Sequence, residues 1–182
     1  KYADFVMETD WAVGQILQAI DRHGLSEKTL VIFTADNGTS PRCKFEELEH
    51  KGVHLRENWR GAKADIWEGG HRVPFIAKWP RVIAPGSKCD KVVSLGDFMA
   101  TAAQAVDFVL PDYAAEDSVS LIPAFRQENF VRPAIVCHSI YGHFAVQKGK
   151  WKAEFCSGSG GWSSPKEEQA KQQGLPPVQL YN

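Results

Sequence analysis

The feature that most limits what this chain can fold into is residues 29–38, TLVIFTADNG. Leu30, Val31, Ile32 and Phe33 are consecutive and apolar. Such a run suits a strand covered on both faces, in the middle of a parallel sheet flanked by helices. The run ends at Asp36, Asn37 and Gly38. In open α/β sheets ligands gather beyond the carboxyl ends of the strands. Two neighbouring oxygen-bearing side chains at that position suit a hard cation such as Ca²⁺ or Mg²⁺. Asp, Asn and Gly are also the residues of an ordinary turn, so local sequence leaves both readings open.

The segments around this strand build an α/β unit. Residues 2–23 have helical periodicity, with Val6, Val13, Leu17 and Ile20 on one stripe and Gly24 placed to end the helix. Helix, short loop and strand form the repeating unit of an α/β sheet. Residues 39–58 are polar and read as a long loop carrying His50 and His54. Long loops beside a strand's carboxyl end are often functional, although a lone loop histidine is more commonly just solvated. Residues 59–80, WRGAKADIWEGGHRVPFIAKWP, place Lys63 on a loop with Gly61, Gly69 and Gly70. A lysine there can hold an oxyanion as a point charge, or can simply be a surface lysine. Glu68 and Arg72 have the spacing of a structural ion pair, and residues 73–79 read as a second strand.

Further along, Ser94 and Asp97 have capping-box spacing before a small apolar helix that ends near residue 106. Residues 111–120 read as acidic loop and 121–125 as a short apolar anchor. From Arg132 the texture changes. A strand is expected at 134–138, and an antiparallel hairpin at 144–147 and 151–155 around Lys148-Gly149-Lys150. Residues 158–161 read as a flexible loop. A helix is expected to start with Ser164 as N-cap, Pro165 at N1 and Glu167 at N3, and a final strand at 178–181. These changes suggest two parts, residues 1–130 and 131–182.

Composition rules out several classes. With 43% hydrophobic and 24% charged residues and a net charge of -1, the chain is ordinary globular protein. It has no basic face for nucleic acid. No apolar run is long enough to span a membrane. The opening KYADFVMETD reads as the interior of a larger protein rather than as a leader. The four cysteines are far apart and form no C-x-x-C pair, so a zinc knuckle is not expected and their pairing stays open.

The series DNG, R-G-x-K and EGG-x-RVPF, carried by TLVIFTADNG and RGAKADIWEGGHRVPFIAKWP, resembles the sulfatase family, the formylglycine-dependent sulfuric ester hydrolases. YADFVMETDWAVGQIL, SLGDFMATAAQAV, FAVQKGKWKAEF and QLYN are similar to other segments of that family, so the resemblance covers nearly the whole chain. It implies part of an alkaline-phosphatase-like α/β/α sandwich over residues 1–130 and a small antiparallel α+β subdomain over 131–182. It implies Asp36 and Asn37 as ligands of a divalent cation, usually Ca²⁺ with Mg²⁺ as alternative. It also implies Lys63 as the sulfate-binding residue and His54 as a residue near the substrate.

The family's nucleophile is a Cys or Ser oxidised to formylglycine within a C/S-x-P-S/A-R motif. No such motif occurs here, and the paired aspartates that complete the metal site are also missing. The catalytic group is therefore expected upstream, in the N-terminal remainder of the same domain, and the chain alone is expected to be inactive. The implied substrate is a sulfate ester, with a sulfated carbohydrate preferred. The implied location is periplasmic, secreted or lysosomal. Two other readings stay open: a phosphate or phosphonate ester hydrolase of the same superfamily, and a non-catalytic binding module whose Asp-Asn pair is structural.

Overall fold

The computed structural model describes residues 2–55 and 58–182. Helix α1, Tyr2–Arg22, ends where Gly24 adopts a left-handed φ of 65° and the Leu25 amide donates back to the Ile20 carbonyl at 3.0 Å. This is the six-to-one bond of a Schellman stop. None of the α1 residues is buried, and Phe5 and Trp11 are 67% and 65% exposed. Of its apolar stripe, Val13, Leu17 and Ile20 are half-buried and Val6 is exposed.

Strand β1, Val31–Thr34, pairs antiparallel with β2, Phe75–Lys78, in a two-stranded sheet, with Val31 opposite Lys78 and Thr34 opposite Phe75. Among the described residues the neighbour of β1 is thus antiparallel, not the parallel one expected. An apolar run reports that a strand is covered, whereas its direction depends on the neighbour it meets. β1 is half-buried rather than enclosed, and Phe33 is exposed.

The stretch after β1 is less irregular than expected. It holds a 3₁₀ turn, Pro41–Cys43, capped by the Ser40 hydroxyl, and a short helix α2, Phe45–Glu49. Residues 56–57 of this stretch lie outside the described residues. Helix α3, Glu68–His71, precedes β2. The capping box at Ser94 and Asp97 is present and opens a 3₁₀ turn, Leu95–Asp97, continuous with α4, Phe98–Ala105. Asp97 does more than cap. It is fully buried, accepts from the Val119 amide at 2.9 Å, and forms an ion pair with Arg132. The expected apolar anchor is helix α5, Ile122–Phe125. Leu121, Ile122, Phe125 and Phe130 form a buried cluster against which Leu30, Phe75, Ala77 and Trp79 pack. Burying each such large side chain stabilises the fold by about 1.5–3 kcal/mol.

The second sheet is a four-stranded antiparallel meander: β3, Ile135–His138; β4, Phe144–Lys148; β5, Trp151–Glu154; and β6, Gln179–Tyr181. The expected hairpin is β4–β5, and Lys148 pairs with Trp151 across its turn. Two expectations here are corrected. Residues 158–161 are buried rather than flexible, because their backbone is hydrogen-bonded into the rest of the fold: the Ser159 carbonyl accepts from Ile66 N at 2.8 Å. Helix α6, Glu167–Gln172, starts later than expected, with Lys166 as N-cap and Gln169 at N3. The Glu167 side chain, instead of closing a Ser164 box, accepts from the amides of Ser157 and Gly158.

A smaller core of Ile66, Trp67, Ala145 and Cys156 joins the Lys63-bearing stretch to this second sheet. All four cysteines are free thiols. Burial first, then Glu167 and Glu154, raise the Cys156 thiol to about 11, so it is an inert packing residue.

Candidate functional site

The DNG turn, the Lys63 loop and the His54 loop meet at Thr39. Its carbonyl accepts from Lys63 N at 2.9 Å, and its hydroxyl lies 3.4 Å from the Leu55 carbonyl. The turn also rests on α3, with the Gly38 amide donating to the Gly70 carbonyl at 2.9 Å. This approach requires glycine, since a Cβ on Gly38 would lie 1.8 Å from the Gly69 carbonyl oxygen. The result is one cavity of about 870 Å³ whose wall includes Asp36, Asn37, His54 and Lys63 together. All four residues singled out from sequence therefore line the same space. His50 does not; it is exposed, and its Nδ1 lies 2.6 Å from the Glu46 carbonyl.

The oxygen donors at the end of β1 fit a hard cation. The Asp36 carboxylate is exposed and makes no hydrogen bond or ion pair with another described residue. Asn37 commits its Nδ2 to the Gly38 carbonyl at 3.0 Å, which leaves its Oδ1 available as a ligand. Ca²⁺ takes about 6–8 oxygens, so two side chains supply only part of a shell. Among the described residues no cluster of three or more His, Cys, Asp or Glu stands ready to hold a metal.

The opposite wall comes from the C-terminal sheet and its loops, including His138, Lys152 and Trp162. Lys152 was not singled out from sequence. Its ammonium donates to the Ile66 carbonyl at 2.8 Å and to Glu68 at 2.8 Å, and it sits 3.3 Å from Glu154. Read by alternation, WKAEF would turn Lys152 and Glu154 to solvent. Here they face inward, while Trp151 and Phe155 are exposed. Glu68 also pairs with Arg72 at 3.7 Å, as its spacing suggested.

The pKa values of Lys152 and Glu154 are both raised, for different reasons. Desolvation alone would lower Lys152, but Glu68 and Glu154 outweigh it, whereas desolvation raises Glu154 against the pull of Lys152. His71, also in the cavity wall, is held neutral by burial and then by Lys152, with its pKa lowered to about 4. Its ring bonds the Asp65 backbone, and its Nε2 is buried without a partner among the described residues.

A family model described as Sulfatase matches residues 1–108. The chain belongs to the sulfatase family. Human steryl-sulfatase is 42% identical over 125 residues, covering 67% of this sulfatase chain and 21% of its own length. Human arylsulfatase A is 37% identical over 161 residues, 85% of this chain and 30% of its own. The N-acetylgalactosamine-6-O-sulfatase of Bacteroides thetaiotaomicron is 31% identical over 153 residues, 82% of this chain and 30% of its own. A solved structure from work on the metabolism of multiple glycosaminoglycans by Bacteroides thetaiotaomicron superposes with a TM-score of 0.79 at 30% identity. That match covers 97% of this chain and 37% of the other. It extends past the family-model match to the antiparallel C-terminal sheet, and it places the chain in the alkaline-phosphatase-like fold. This sulfatase chain spans 21% to 30% of the length of these curated relatives. No helix among the described residues is long and apolar enough to cross a membrane.

Proposed function

We propose that the complete protein is a sulfuric ester hydrolase and that these 182 residues supply one side of its active site. The observation that carries this reading is the convergence of Asp36, Asn37, His54 and Lys63 on one cavity, with three of their loops joined at Thr39.

In this reading Asp36 and Asn37 hold one edge of a divalent cation, Ca²⁺ before Mg²⁺. Lys63 binds a sulfate oxygen and stabilises the charge that builds on it as the ester bond breaks. His54, exposed at the rim, contacts the substrate. When bound, the cation supplies further charge stabilisation to the sulfuryl oxygens. The nucleophile, a formylglycine, belongs to a part of the domain outside these residues. The exposed Phe5 and Trp11 of α1 support the presence of such a part, because large apolar side chains open to solvent on a 21-residue helix call for a packing partner. Residues 1–130 then form the end of the main domain and 131–182 a subdomain that walls the cavity.

A sulfated saccharide is the proposed substrate. Support comes from the likeness to an N-acetylgalactosamine-6-O-sulfatase and to a structure from glycosaminoglycan metabolism. A wide cavity with polar side chains on its C-terminal wall also accommodates a sugar. As for the family at large, the proposed location is periplasmic, secreted or lysosomal.

The test is to assay the complete protein on N-acetylgalactosamine 6-sulfate, a chromogenic aryl sulfate and the matching phosphate monoesters. Release of sulfate with little release of phosphate is expected. Faster phosphate release would support a phosphate ester hydrolase, and ligand binding without turnover would support a binding module.

A further inference from the structure

The Asp65 carboxylate has no part in the reading above, yet it is 1% exposed and sits two residues from Lys63. A carboxylate buried that deeply must be matched by donors. Here the donors come from two different loops. Oδ2 accepts from the Ala62 amide at 2.8 Å, within the Lys63 loop, and also from the Ser163 hydroxyl. Oδ1 accepts from the Ser163 amide at 2.9 Å, 98 residues away in the C-terminal subdomain.

Backbone bonds run alongside this bridge. Ile66 N donates to Ser159 O at 2.8 Å, and Ile140 N donates to Ala64 O at 3.0 Å. Ala64 itself holds a φ of 82°, unfavourable for a residue with a Cβ, so the Lys63 loop needs outside support to keep its shape. On its other side the loop is tied to the DNG turn by Lys63 N to Thr39 O at 2.9 Å. Trp162, next to Ser163, lines the same cavity as Lys63.

We propose that Asp65 is a positioning residue for Lys63: it joins the sulfate-binding loop to the 157–163 loop and fixes where the Lys63 ammonium stands in the cavity. This inference rests on the sulfate-binding reading of Lys63. A displacement of about 1 Å at a reacting centre can cost on the order of a hundredfold in rate, so a buried clamp this close is catalytically costly to lose.

Asp65→Asn separates clamping from space filling. Asn has the same shape but replaces one acceptor oxygen by an N–H₂ donor. Either orientation sets that donor against a backbone N–H, of Ala62 or of Ser163. Ser163→Ala removes only the hydroxyl donor and serves as the milder variant.

The experiment compares the complete protein as wild type, Asp65→Asn, Ser163→Ala, Lys63→Ala and the double variants of each with Lys63→Ala. Sulfate ester turnover is measured together with amide hydrogen exchange. Asp65→Asn is expected to lower kcat/KM about ten- to a hundredfold, and Ser163→Ala a few-fold in the same direction. Neither should lower it further once Lys63 is alanine. Exchange should rise at residues 61–66 and 159–163. Equal losses with and without Lys63, or unchanged exchange in those two loops, would overturn this inference alone. Wild-type turnover by Lys63→Ala would overturn the reading of Lys63 and this inference with it.

Discussion

Lys152→Met probes the point where the C-terminal sheet meets α3. Methionine keeps the unbranched stem as far as Cε but removes the ammonium and its three contacts, to Ile66 O and Glu68 at 2.8 Å and to Glu154 at 3.3 Å. The Lys152 side chain is 6% exposed and the Glu154 side chain 1%. Water therefore has little access to Glu154, whose Oε2 already lacks a partner among the described residues, although it can reach the 29%-exposed Glu68. Breaking a buried pair by removing one member typically costs about 3–5 kcal/mol, a large share of a typical total stability of about 5–15 kcal/mol.

The cost should depend on pH. Burial already raises the Glu154 pKa above its ordinary value, and Lys152 opposes that rise. Without Lys152 the folded-state pKa climbs further. A carboxyl whose folded pKa is raised favours the folded state at low pH and loses that stabilisation as pH rises through the raised value. Urea denaturation of the complete protein at pH 5 and pH 7.5 should therefore show a smaller penalty at pH 5. Lys152→Met/Glu154→Leu should recover most of the loss, because an apolar pair of similar volume can replace a buried ion pair. A penalty below about 1 kcal/mol, or one equal at both pH values, would refute the argument.

His71 titrates in the other direction. Its folded pKa of about 4 lies below the ordinary 6.5, so its contribution is complete above 6.5 and is lost as pH falls toward 4. The loss is on the order of 3 kcal/mol, and melting curves for wild type and His71→Gln across that range should converge at low pH. Calorimetry of the 182-residue chain alone should show only weak Ca²⁺ binding. The complete protein should bind tightly and lose that affinity with Asp36→Ala.

What the sequence revealed follows from how its signals are written along the chain. DNG and R-G-x-K are contiguous, so their turn and loop chemistry could be read without knowing any distant partner. The α1 stop at Gly24, the Ser94–Asp97 box and the β4–β5 hairpin were legible for the same reason. The role of Lys152 was not, because it depends on Glu68 and Ile66, both more than 80 residues away. Asp65 and Ser163, and Asp97 and Arg132, are hidden in the same way: each looks like an ordinary polar residue until the fold supplies its partner. The glycines and serines of 157–161 have the composition of a mobile loop, yet they are buried because small residues let the backbone pack close to Ala64 and Asp65. The antiparallel pairing of β1 with β2 could not be read, because composition carries no direction.

The most direct test of the central claim is Lys63→Ala in the complete protein, followed by kcat/KM on a sulfate ester and thermal melting on the same samples. The Lys63 ammonium makes no hydrogen bond or ion pair with another described residue, while its backbone amide, which ties the loop to Thr39, survives the substitution. Losing one charge contact in the transition state typically costs about 3 kcal/mol, on the order of a hundredfold in rate. The account predicts that loss with an unchanged melting temperature. Normal turnover, or a loss of activity that only tracks a lowered melting temperature, would contradict it.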